Sequence, residues 1–364
     1  MSENDKIYDC CCMGSSVNDL IIRTTSLKQM TLQDRSTLDS FLCIPFSKKV
    51  PISRIKSVSG GSALNTACTL SQLGQKVVAL SKIGNDMYGE KQVKTLKDFN
   101  VDTSGIIKTD ETETGIGIIL STSWGDRDRS ILVYHGAADT LNPEDINDDN
   151  IKELIEKSKW LDVTSFTSDI SIKAIEEAIK IARDAGTKLM LAPSITMASF
   201  SPEKTKNLLR KSDYLAINKE EGNFLYQSNK SYVLLNKMYN EIDKENNILK
   251  ENTVISITDG SRGSYARVKD NVYFCEPFQV EVKNTTGAGD SFSGGFLYSI
   301  LKGKSIQDML RFASAVAAHK IQFFGVRNGL PTEKQLVEFI EEHEGEARVY
   351  RHYWKEVSKL AGSP

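Results

Sequence analysis

Three small residues and an acid stand together ahead of an apolar helical pattern in "KNTTGAGDSFSGGFLYSI", residues 283–300. Backbone N–H groups approach an anion closely only where no side chain intervenes, and the N-terminus of a helix adds a positive partial charge. The pattern predicts a helix over residues 291 to about 302. Gly287, Ala288 and Gly289 are therefore predicted to form an anion hole just ahead of that helix.

Two familiar phosphate-binding motifs do not match this stretch. A Walker A loop ending in "GKS" would need a glycine where Tyr298 stands. The dinucleotide fingerprint would need a third glycine where Phe292 stands. Neither motif therefore identifies the anion for which this stretch is suited.

Asp290 is unexpected in an anion-binding loop, because its carboxylate repels the phosphate that the amides attract. A carboxylate beside a transferring phosphoryl group can instead orient an attacking hydroxyl and accept its proton. An aspartate at this place can also cap its helix. Catalytic base and helix cap are both open interpretations of this stretch alone.

A second glycine-rich segment, "GGSALNTACTLSQLG", contains Gly60, Gly61 and Asn65 at another junction of loop and helix. Asp19 stands at the end of the presumed first strand. Ligands of a parallel sheet gather at the carboxyl ends of its strands, and carboxylate and amide groups suit sugar hydroxyls. Asp19 and Asn65 could therefore hydrogen-bond sugar hydroxyls, but from these residues alone a turn-closing aspartate and a helix-capping asparagine are the favoured interpretations.

Two further strand ends carry polar residues. In "YLAINKEEGNFL", Asn218 and Glu221 are one helical turn apart, and a carboxylate near phosphates recruits Mg²⁺ through water. The alternative is an N-terminal cap with a first-turn glutamate. In "VISITDGSRGSYA", a strand is followed by Thr258, Gly260 and Gly263, which is also the pattern of an ordinary hairpin.

Composition limits the classes of partner. The 364 residues contain 46 Lys and Arg against 48 Asp and Glu, interspersed, so no basic field is available for nucleic acid. No apolar run approaches the length that spans a bilayer, and the N-terminus lacks the pattern of a signal peptide. We expect a cytoplasmic protein that binds neither nucleic acid nor membrane.

Six cysteines are present, and their spacing fits neither a disulfide framework nor a zinc site. Cys10, Cys11 and Cys12 lie in the presumed first strand, "YDCCCMGSSV", where a free cysteine behaves as a small buried hydrophobe. We predict reduced thiols. A metal or redox role for the three neighbours is the alternative.

Strand-like runs alternate with amphipathic helical runs over most of the chain, which predicts an α/β core with a mostly parallel central sheet. Two segments, about 20–58 and 112–134, break this alternation; the second reads as two strands joined at Trp124-Gly125-Asp126. If they pair, they form a small sheet that could serve as a lid. Residues 344–364 show no clear strand, and residues 340–364 form an extension of uncertain role.

The ordered set of motifs resembles the ribokinase-like, or PfkB, carbohydrate kinase family over about residues 10–335. The resemblance rests on Asp19, "GGSALN", "SKIGNDMYGE", "YHGAADTLNPEDI", "NKEE", "TDG" and "NTTGAGDSFSGGF". It implies one kinase domain, residues 1–364, with a three-layer α/β core and a β lid. The implied activity is transfer of the γ-phosphoryl group of ATP to a hydroxymethyl group.

The resemblance also implies a role for each matching residue. Asp290 is the expected base, with the anion hole at Gly287, Ala288 and Gly289. The remaining assignments are acceptor binding by Asp19, Gly60, Gly61 and Asn65; organisation of Mg²⁺ and phosphates by Asn218 and Glu221; and nucleotide contacts from Thr258, Gly260, Gly263 and His319. The expected cofactors are ATP and Mg²⁺.

Several points stay open. This family commonly has an aspartate in place of Asn284, and that acid often helps bind an activating monovalent cation, so activation by K⁺ is undecided. A small sugar is the favoured acceptor, adenosine or another nucleoside is the alternative, and a non-catalytic sensor of nucleotide or sugar is disfavoured because Asp290 is retained. Lid sheets of this family often pair between subunits, which leaves a homodimer through the lid as one arrangement.

Overall fold

The computed structural model describes residues 5–33, 38–121, 129–242 and 253–360, so the predicted turn at Trp124 lies outside the described residues. The strands are β1 (Tyr8–Met13), β2 (Val17–Arg23), β3 (Lys28–Gln33), β4 (Leu38–Cys43), β5 (Arg54–Gly60), β6 (Val77–Gly84), β7 (Asp102–Thr109), β8 (Thr114–Ser121), β9 (Arg129–Gly136), β10 (Ser158–Thr164), β11 (Lys188–Ala192), β12 (Tyr214–Asn218), β13 (Val254–Thr258), β14 (Ser264–Val268), β15 (Asn271–Cys275) and β16 (Val349–Tyr353).

The described helices lie between these strands and after them. They are α1 (Ser62–Gln72), α2 (Met87–Asp98), α3 (Pro143–Ile146), α4 (Asp149–Glu156), α5 (Asp169–Asp184), α6 (Ile195–Phe200), α7 (Pro202–Leu209), α8 (Lys219–Tyr226), α9 (Ser231–Ile242), α10 (Ala288–Leu301), α11 (Ile306–Ile321), α12 (Glu333–Glu342) and α13 (Trp354–Leu360). None of the helices in these described ranges is long and apolar enough to cross a membrane.

Ten strands form the main sheet, in the order β16-β15-β14-β13-β12-β11-β10-β1-β6-β7. The pairs from β13 through β12, β11, β10, β1 and β6 to β7 are parallel, and β14, β15 and β16 add antiparallel strands at one edge. The predicted mostly parallel α/β sheet is confirmed. The carboxyl ends of its parallel strands therefore meet along one side of the molecule.

Both faces of this sheet are covered by helices, because its central strands are apolar on both sides. Alternate residues of β1 enter different cores: Cys11 and Met13 pack with α4 and α5, whereas Cys10 and Cys12 pack with α1 and α10. Cys10, Cys11 and Cys12 have no exposed surface, and all six cysteines are free thiols. The prediction that Cys10, Cys11 and Cys12 behave as small buried hydrophobes is confirmed.

A second, four-stranded sheet has the order β5-β2-β8-β9. Strands β2 and β5 belong to the first segment that breaks the alternation, and β8 and β9 belong to the second. The register pairs Asp19 with Val58 on β5 and with Gly117 on β8. Strands β3 and β4 form a separate two-stranded sheet within the first segment. We refer to the four-stranded sheet as the small sheet.

The C-terminal segment differs from its prediction. Val349–Tyr353 forms β16, which pairs antiparallel with β15, and the prediction that residues 344–364 hold no clear strand is wrong. The prediction missed β16 because this edge strand has only half-buried or exposed residues. Its sequence therefore lacks the apolar periodicity by which strands are predicted. Residues 349–360 are thus integrated in the fold, as β16 and α13.

Candidate active site

Asp290 lies in the first turn of α10, which begins at Ala288 rather than at residue 291 as predicted. The N-cap residue is Gly287, with a φ of 80°, and no side chain caps this helix. A Cβ at Gly287 would lie 2.8 Å from the carbonyl oxygen of Val326, so both the backbone angle and the space require glycine. The alternative that Asp290 caps its helix is wrong.

The Asp290 carboxylate receives a hydrogen bond from the other glycine-rich segment. Asn65 is buried in α1, and its Nδ2 donates to Asp290 Oδ2 at 2.7 Å. The Asn65 Oδ1 accepts from Arg327 Nε at 2.9 Å, which fixes the orientation of the amide. The N-cap of α1 is Gly61, so the alternative that Asn65 caps its helix is wrong as well.

Arg327 was not predicted as a site residue. Its side chain is 94% buried (6% exposed), and Nη2 donates to the Gly60 carbonyl oxygen at 3.4 Å. The arginine therefore links the loop after α11 to both Gly60 and Asn65, on either side of Gly61. An isolated arginine between two glycines gives no local signal for this role, since its partners are more than 260 residues away in sequence.

Asp19 lies within β2 of the small sheet, so its predicted place at the end of the first strand is wrong; β1 ends at Met13. A Cβ on Gly60 would come within 2.6 Å of one Asp19 carboxylate oxygen, and a Cβ on Gly117 within 2.2 Å of the other. Glycines on the two neighbouring strands thus make room for this carboxylate. The paired Gly61 is needed for a different reason: its φ is 104°, and a Cβ would lie 2.3 Å from the Ser15 carbonyl oxygen.

A cavity of about 120 Å³ opens at the carboxyl ends of three neighbouring strands. Ala192, Asn218 and Thr258 are the last residues of β11, β12 and β13, and all three line it. Asp290 and Gly289, from the start of α10, also line it. Parallel pairing in register, with Asn218 opposite Thr258, brings these distant segments together.

Asn218 and Glu221 form a capping box at the start of α8. The Glu221 N–H donates to Asn218 Oδ1 and the Asn218 N–H donates to Glu221 Oε2, both at 2.9 Å. The capping alternative is therefore present in the structure. The same two side chains also line the cavity, so the cap holds the Glu221 carboxyl at its wall.

Thr258 begins a tight connection to β14 in which Gly260 has a φ of 56° and Gly263 a φ of 99°. Asp259 holds this connection: one carboxylate oxygen accepts from Lys219 Nζ at 2.9 Å and the other from Arg262 at 2.6 Å. Strands β13 and β14 pair antiparallel, as the hairpin alternative expects. Of these turn residues, only Thr258 lines the cavity.

The three predicted anion-hole residues differ in their surroundings. The N–H of Ala288 donates to the Thr285 carbonyl oxygen at 3.1 Å and is engaged in a turn. Gly287 and Gly289 stand at the helix start, where N–H groups have no partner within the helix. Nothing lies within 4 Å of a Cβ built on Gly289, so its backbone faces open space.

His319 is not brought to the cavity. It lies in the last turn of α11, where its Nδ1 contacts the Gly329 carbonyl oxygen at 2.7 Å. Its ring stacks on Phe323 and meets Phe339 of α12 edge to face, with centroids 5.5 and 5.6 Å away. The assigned nucleotide contact of His319 therefore stays a prediction.

Three acids near the cavity hold their protons unusually tightly. Burial raises the pKa of Asp290, partly offset by hydrogen bonds from Asn65 and Ser62. Burial, together with the Asp290 charge, raises the pKa of Glu221 to about 8. Burial, followed by the Asp290 charge, also raises the pKa of Asp162 to about 8. Acids with raised pKa values are the stronger bases, and such shifts concentrate at functional sites.

Asp162 was also missed by the sequence analysis. It lies within β10, opposite Cys12 of β1, and has no exposed surface. Among the described residues, its two carboxyl oxygens accept no hydrogen bond from an N–H or O–H group, and only the weakly donating Cys12 thiol contacts the carboxyl group. A buried carboxyl with so little hydrogen bonding is expected to be neutral. The available signal was an acid in the otherwise apolar strand "WLDVT".

Helix α2 anchors the base of the small sheet. The Asp86 carboxylate caps α2 and accepts from the Thr114 N–H at 2.7 Å, which holds the first residue of β8. Gln92 Nε2 donates to the Val17 carbonyl oxygen at 2.6 Å, which holds the first residue of β2. The motif "SKIGNDMYGE", to which no individual role was assigned, thus connects the small sheet to the core.

The cavity has few side chains that could bind Mg²⁺, so an ion held there would take most of its ligands from phosphates and water. Within the described ranges, no group of three or more His, Cys, Asp or Glu side chains is placed to hold a metal ion. Mg²⁺ in nucleotide sites is commonly held by one or two protein carboxylates together with phosphates and water. Glu221 and Asn218 at the cavity wall fit that role.

The architecture is shared with solved sugar kinases. The chain superposes on ribokinase of Arabidopsis thaliana, solved with ribose and ATP, with a TM-score of 0.75 over 92% of this chain and 99% of that chain. The sequence identity is 20%, so this likeness establishes the fold. The fold is that of the ribokinase-like α/β proteins, with a large sheet and a smaller separate one.

Sequence comparison gives the family. Residues 9–333 match the profile described as pfkB family carbohydrate kinase, and the chain belongs to that family. It is 28% identical over 295 residues to 5-dehydro-2-deoxygluconokinase of Clostridium perfringens, covering 79% of this chain and 85% of the relative. It is 27% identical over 330 residues to ribokinase of Bacillus subtilis, covering 91% and 98%. The chain is accordingly an ATP-dependent phosphotransferase with a sugar hydroxyl as acceptor.

Proposed function

We propose that this kinase transfers the γ-phosphoryl group of ATP to a hydroxymethyl group of a small sugar. The observation that carries the proposal is the position of Asp290. Its carboxylate stands at the start of α10, is bound by Asn65 and faces the cavity at the ends of β12 and β13. The Asp290 carboxylate thus contacts the Asn65 amide, the proposed ligand of the sugar, and also faces the cavity in which the phosphates are proposed to bind.

In the proposed reaction, Asp290 accepts the proton of the attacking hydroxyl. Its raised pKa makes it a better base than an exposed aspartate, and the hydrogen bond from Asn65 orients it. The N–H groups of Gly287 and Gly289 and the N-terminal end of α10 stabilise the charge that develops on the phosphoryl oxygens. Asp19 and Asn65 hold the other hydroxyls of the acceptor.

Asn218 and Glu221 organise Mg²⁺ and the phosphates in this proposal. Mg²⁺, when bound, neutralises phosphate charge during transfer. The capping box fixes the direction of the Glu221 carboxyl without using both of its oxygens, since only Oε2 accepts from the Asn218 N–H. Thr258 supplies a further polar group from the next strand, and the nucleotide lies along this side of the cavity.

The small sheet acts as the lid. It carries Asp19, and contacts from Asp86 and Gln92 fix one end of it to α2. In this proposal, closure is a rotation of the small sheet about that anchored end. Closure over the acceptor excludes water, which would otherwise compete with the sugar for the phosphoryl group.

A small sugar is favoured as acceptor over a nucleoside. The relatives described above are named as kinases of a gluconate derivative and of ribose. The panel of acceptors must therefore include sugar acids as well as neutral sugars. A nucleoside acceptor is the alternative, and a sensor without catalytic activity is disfavoured by the placement of Asp290.

A homodimer through the lid is part of the proposal. Strand β9 lies at the edge of the small sheet, and among the described strands it pairs only with β8. Four consecutive residues on it, Ile131, Leu132, Val133 and Tyr134, are each 43–55% exposed. An apolar edge strand of this kind gains by pairing with a second copy, because unpaired edges favour association.

The test is ATP consumption with ribose, fructose, 5-dehydro-2-deoxygluconate, adenosine and inosine as acceptors. Asp290→Asn should lower turnover by about 10²–10⁴-fold while nucleotide binding persists. Asp308→Asn is the matched control, because Asp308 holds the same helical position in α11 but is exposed. Near-native turnover of Asp290→Asn would remove Asp290 from the mechanism, activity on nucleosides alone would overturn the sugar assignment, and no activity on any acceptor would favour the sensor.

A further inference from the structure

Lys320 is a lysine without exposed surface, at the end of α11. Its Nζ donates to the carbonyl oxygen of Asn284 at 3.3 Å, to the side-chain Oδ1 of Asn284 at 3.3 Å, and to the carbonyl oxygen of Thr286. The ammonium group has three N–H donors, and these three oxygens match them in number.

The oxygens that surround Lys320 belong to the segment that leads into the candidate anion hole. Thr286 immediately precedes Gly287, the N-cap of α10. The N–H groups of Lys283 and Asn284 donate to the Ile321 carbonyl oxygen at 2.9 and 3.0 Å, so the same segment is tied to the end of α11. The position of the anion hole therefore depends on what holds these carbonyl groups together.

Backbone and amide oxygens that converge on one buried point are the usual surroundings of a monovalent cation, because they replace its hydration shell. In this chain the point is taken by the Lys320 ammonium. An ammonium and a K⁺ ion cannot share it, because both carry a positive charge and the space is filled. The chain therefore does not fit a monovalent cation at this place.

Charge agrees with this occupancy. Asn284 is neutral, so the segment has no carboxylate that would call for an additional cation. The Lys320 charge also acts on the catalytic candidate Asp290, in the direction that favours its ionised form. The Lys320 ammonium thus places a positive charge beside the anion hole.

We propose that the Lys320 ammonium is an internal substitute for a monovalent cation, which braces residues 284–286 and makes the kinase independent of K⁺ and Na⁺. The effect on turnover rests on the proposed function; the occupancy of the oxygen site does not. Lys320 acts through the loop and is a positioning residue.

The first experiment uses the unmodified protein. Thermal unfolding and turnover are measured in KCl, NaCl and tetramethylammonium chloride at equal ionic strength. Equal melting temperatures and equal turnover in the three salts are expected. Activation or stabilisation by K⁺ relative to tetramethylammonium would overturn the proposal, and the thermal measurement decides this even if no acceptor is phosphorylated.

The second experiment vacates the site. Lys320→Ala removes the ammonium and leaves room for an ion, and turnover should fall by about 100-fold because the loop loses its position. Added K⁺ or NH₄⁺ should raise the turnover of this variant by at least about tenfold, with saturation at high salt. The same ions should raise its melting temperature. Lys320→Met fills the space without a charge and should lose turnover without rescue.

Lys82→Ala is the matched control, since Lys82 is also buried but pairs with Asp145, away from the anion hole. It should lose stability without a response specific to K⁺. Unchanged turnover of Lys320→Ala, or a K⁺ response equal to that of Lys82→Ala, would show that Lys320 is only a structural lysine. If Lys320→Ala does not fold, Lys320→Met and the salt series on the unmodified protein still decide the question.

Discussion

Asn65 Nδ2 donates to Asp290 Oδ2 across 2.7 Å, although 225 positions separate the two residues in the chain. The contact joins the helix that opens with Gly61 to the helix that opens with Gly287. In the proposed reaction, an acceptor hydroxyl bound by Asn65 would therefore lie next to Asp290, the proposed base. This one hydrogen bond would then couple acceptor binding to proton transfer.

Arg327 is expected to control this coupling, because its Nε holds the Asn65 amide in one orientation. Arg327→Met keeps the apolar volume and leaves Asn65 Oδ1 without its donor, which typically costs about 1–3 kcal/mol. We expect the KM for the acceptor to rise about tenfold or more, with the KM for ATP unchanged. Steady-state kinetics measures both, and Arg311→Met, a half-buried arginine of α11, is the control. An unaltered acceptor KM would contradict the prediction.

Glu221→Gln tests the proposed Mg²⁺ ligand without breaking the cap. Glutamine retains an oxygen that can accept from the Asn218 N–H, so α8 should start normally. Loss of the carboxyl group, which bound Mg²⁺ would keep ionised, should raise the Mg²⁺ concentration for half-maximal activity by about tenfold or more. The exposed neighbour Glu220 supplies the control, Glu220→Gln. Superimposable Mg²⁺ titrations would exclude Glu221 from the metal site.

Asp162→Asn should alter how stability depends on pH. The folded-state pKa of about 8 lies above the ordinary 3.8, so the folded protein holds this proton more tightly than the unfolded chain. The neutral Asp162 carboxyl makes its full contribution to the free energy of unfolding below about pH 4. That contribution falls as pH rises and is lost by about pH 8. The variant should therefore gain stability relative to the native protein across this window, by a few kcal/mol at its upper end.

Urea unfolding at pH 5, 6, 7 and 8 measures this difference. The exposed Asp308→Asn serves as the control, because it removes an acid whose charge is solvated. Parallel pH profiles for Asp162→Asn and the native protein would mean that Asp162 is already ionised in the folded state.

Leu132→Lys tests the lid dimer. A charge in the middle of the exposed apolar edge strand β9 should prevent pairing with a second copy, at little cost to the folded subunit. Sedimentation velocity should detect a dimer for the native protein and a monomer for the variant. Phe200→Lys places the same charge on an exposed apolar residue of α6 and should remain dimeric. A native protein that sediments as a monomer at all concentrations would refute this arrangement.

Most of the main fold could be predicted, because parallel strands that are buried on both faces leave long apolar runs between amphipathic helices. The edge strand β16 could not, since its half-exposed residues carry no such pattern. The predicted start of α10 is three residues late, because Ala288 and Gly289 have the pattern of a loop although they form the first turn. A helix that began at residue 291 would have had Asp290 as its cap. Because α10 begins at Ala288, Asp290 lies inside the helix and does not cap it.

The residues of the candidate site also divide into those that the sequence predicts and those that it does not. Asp290, Asn218, Glu221 and Thr258 could be proposed because each stands in a short motif beside a predicted strand or helix end. His319 was assigned by family resemblance; its ring packs against Phe323 and Phe339, and its nucleotide contact stays a prediction. Arg327 has no local sequence signal, because its significance depends on partners from other segments. The signal for Asp162, an acid in an apolar strand, does not show that the acid lies near Asp290.

The sequence by itself determined the class of fold, the glycine turns and the residue types available for the proposed chemistry, because these depend on local backbone geometry and on periodic burial. Only the tertiary structure decided which groups meet: Asn65 with Asp290, Arg327 with Asn65, and Lys320 with the oxygens of Asn284 and Thr286. Each of these contacts joins segments at least 34 positions apart. Their existence depends on how helices and strands pack, which no local pattern encodes.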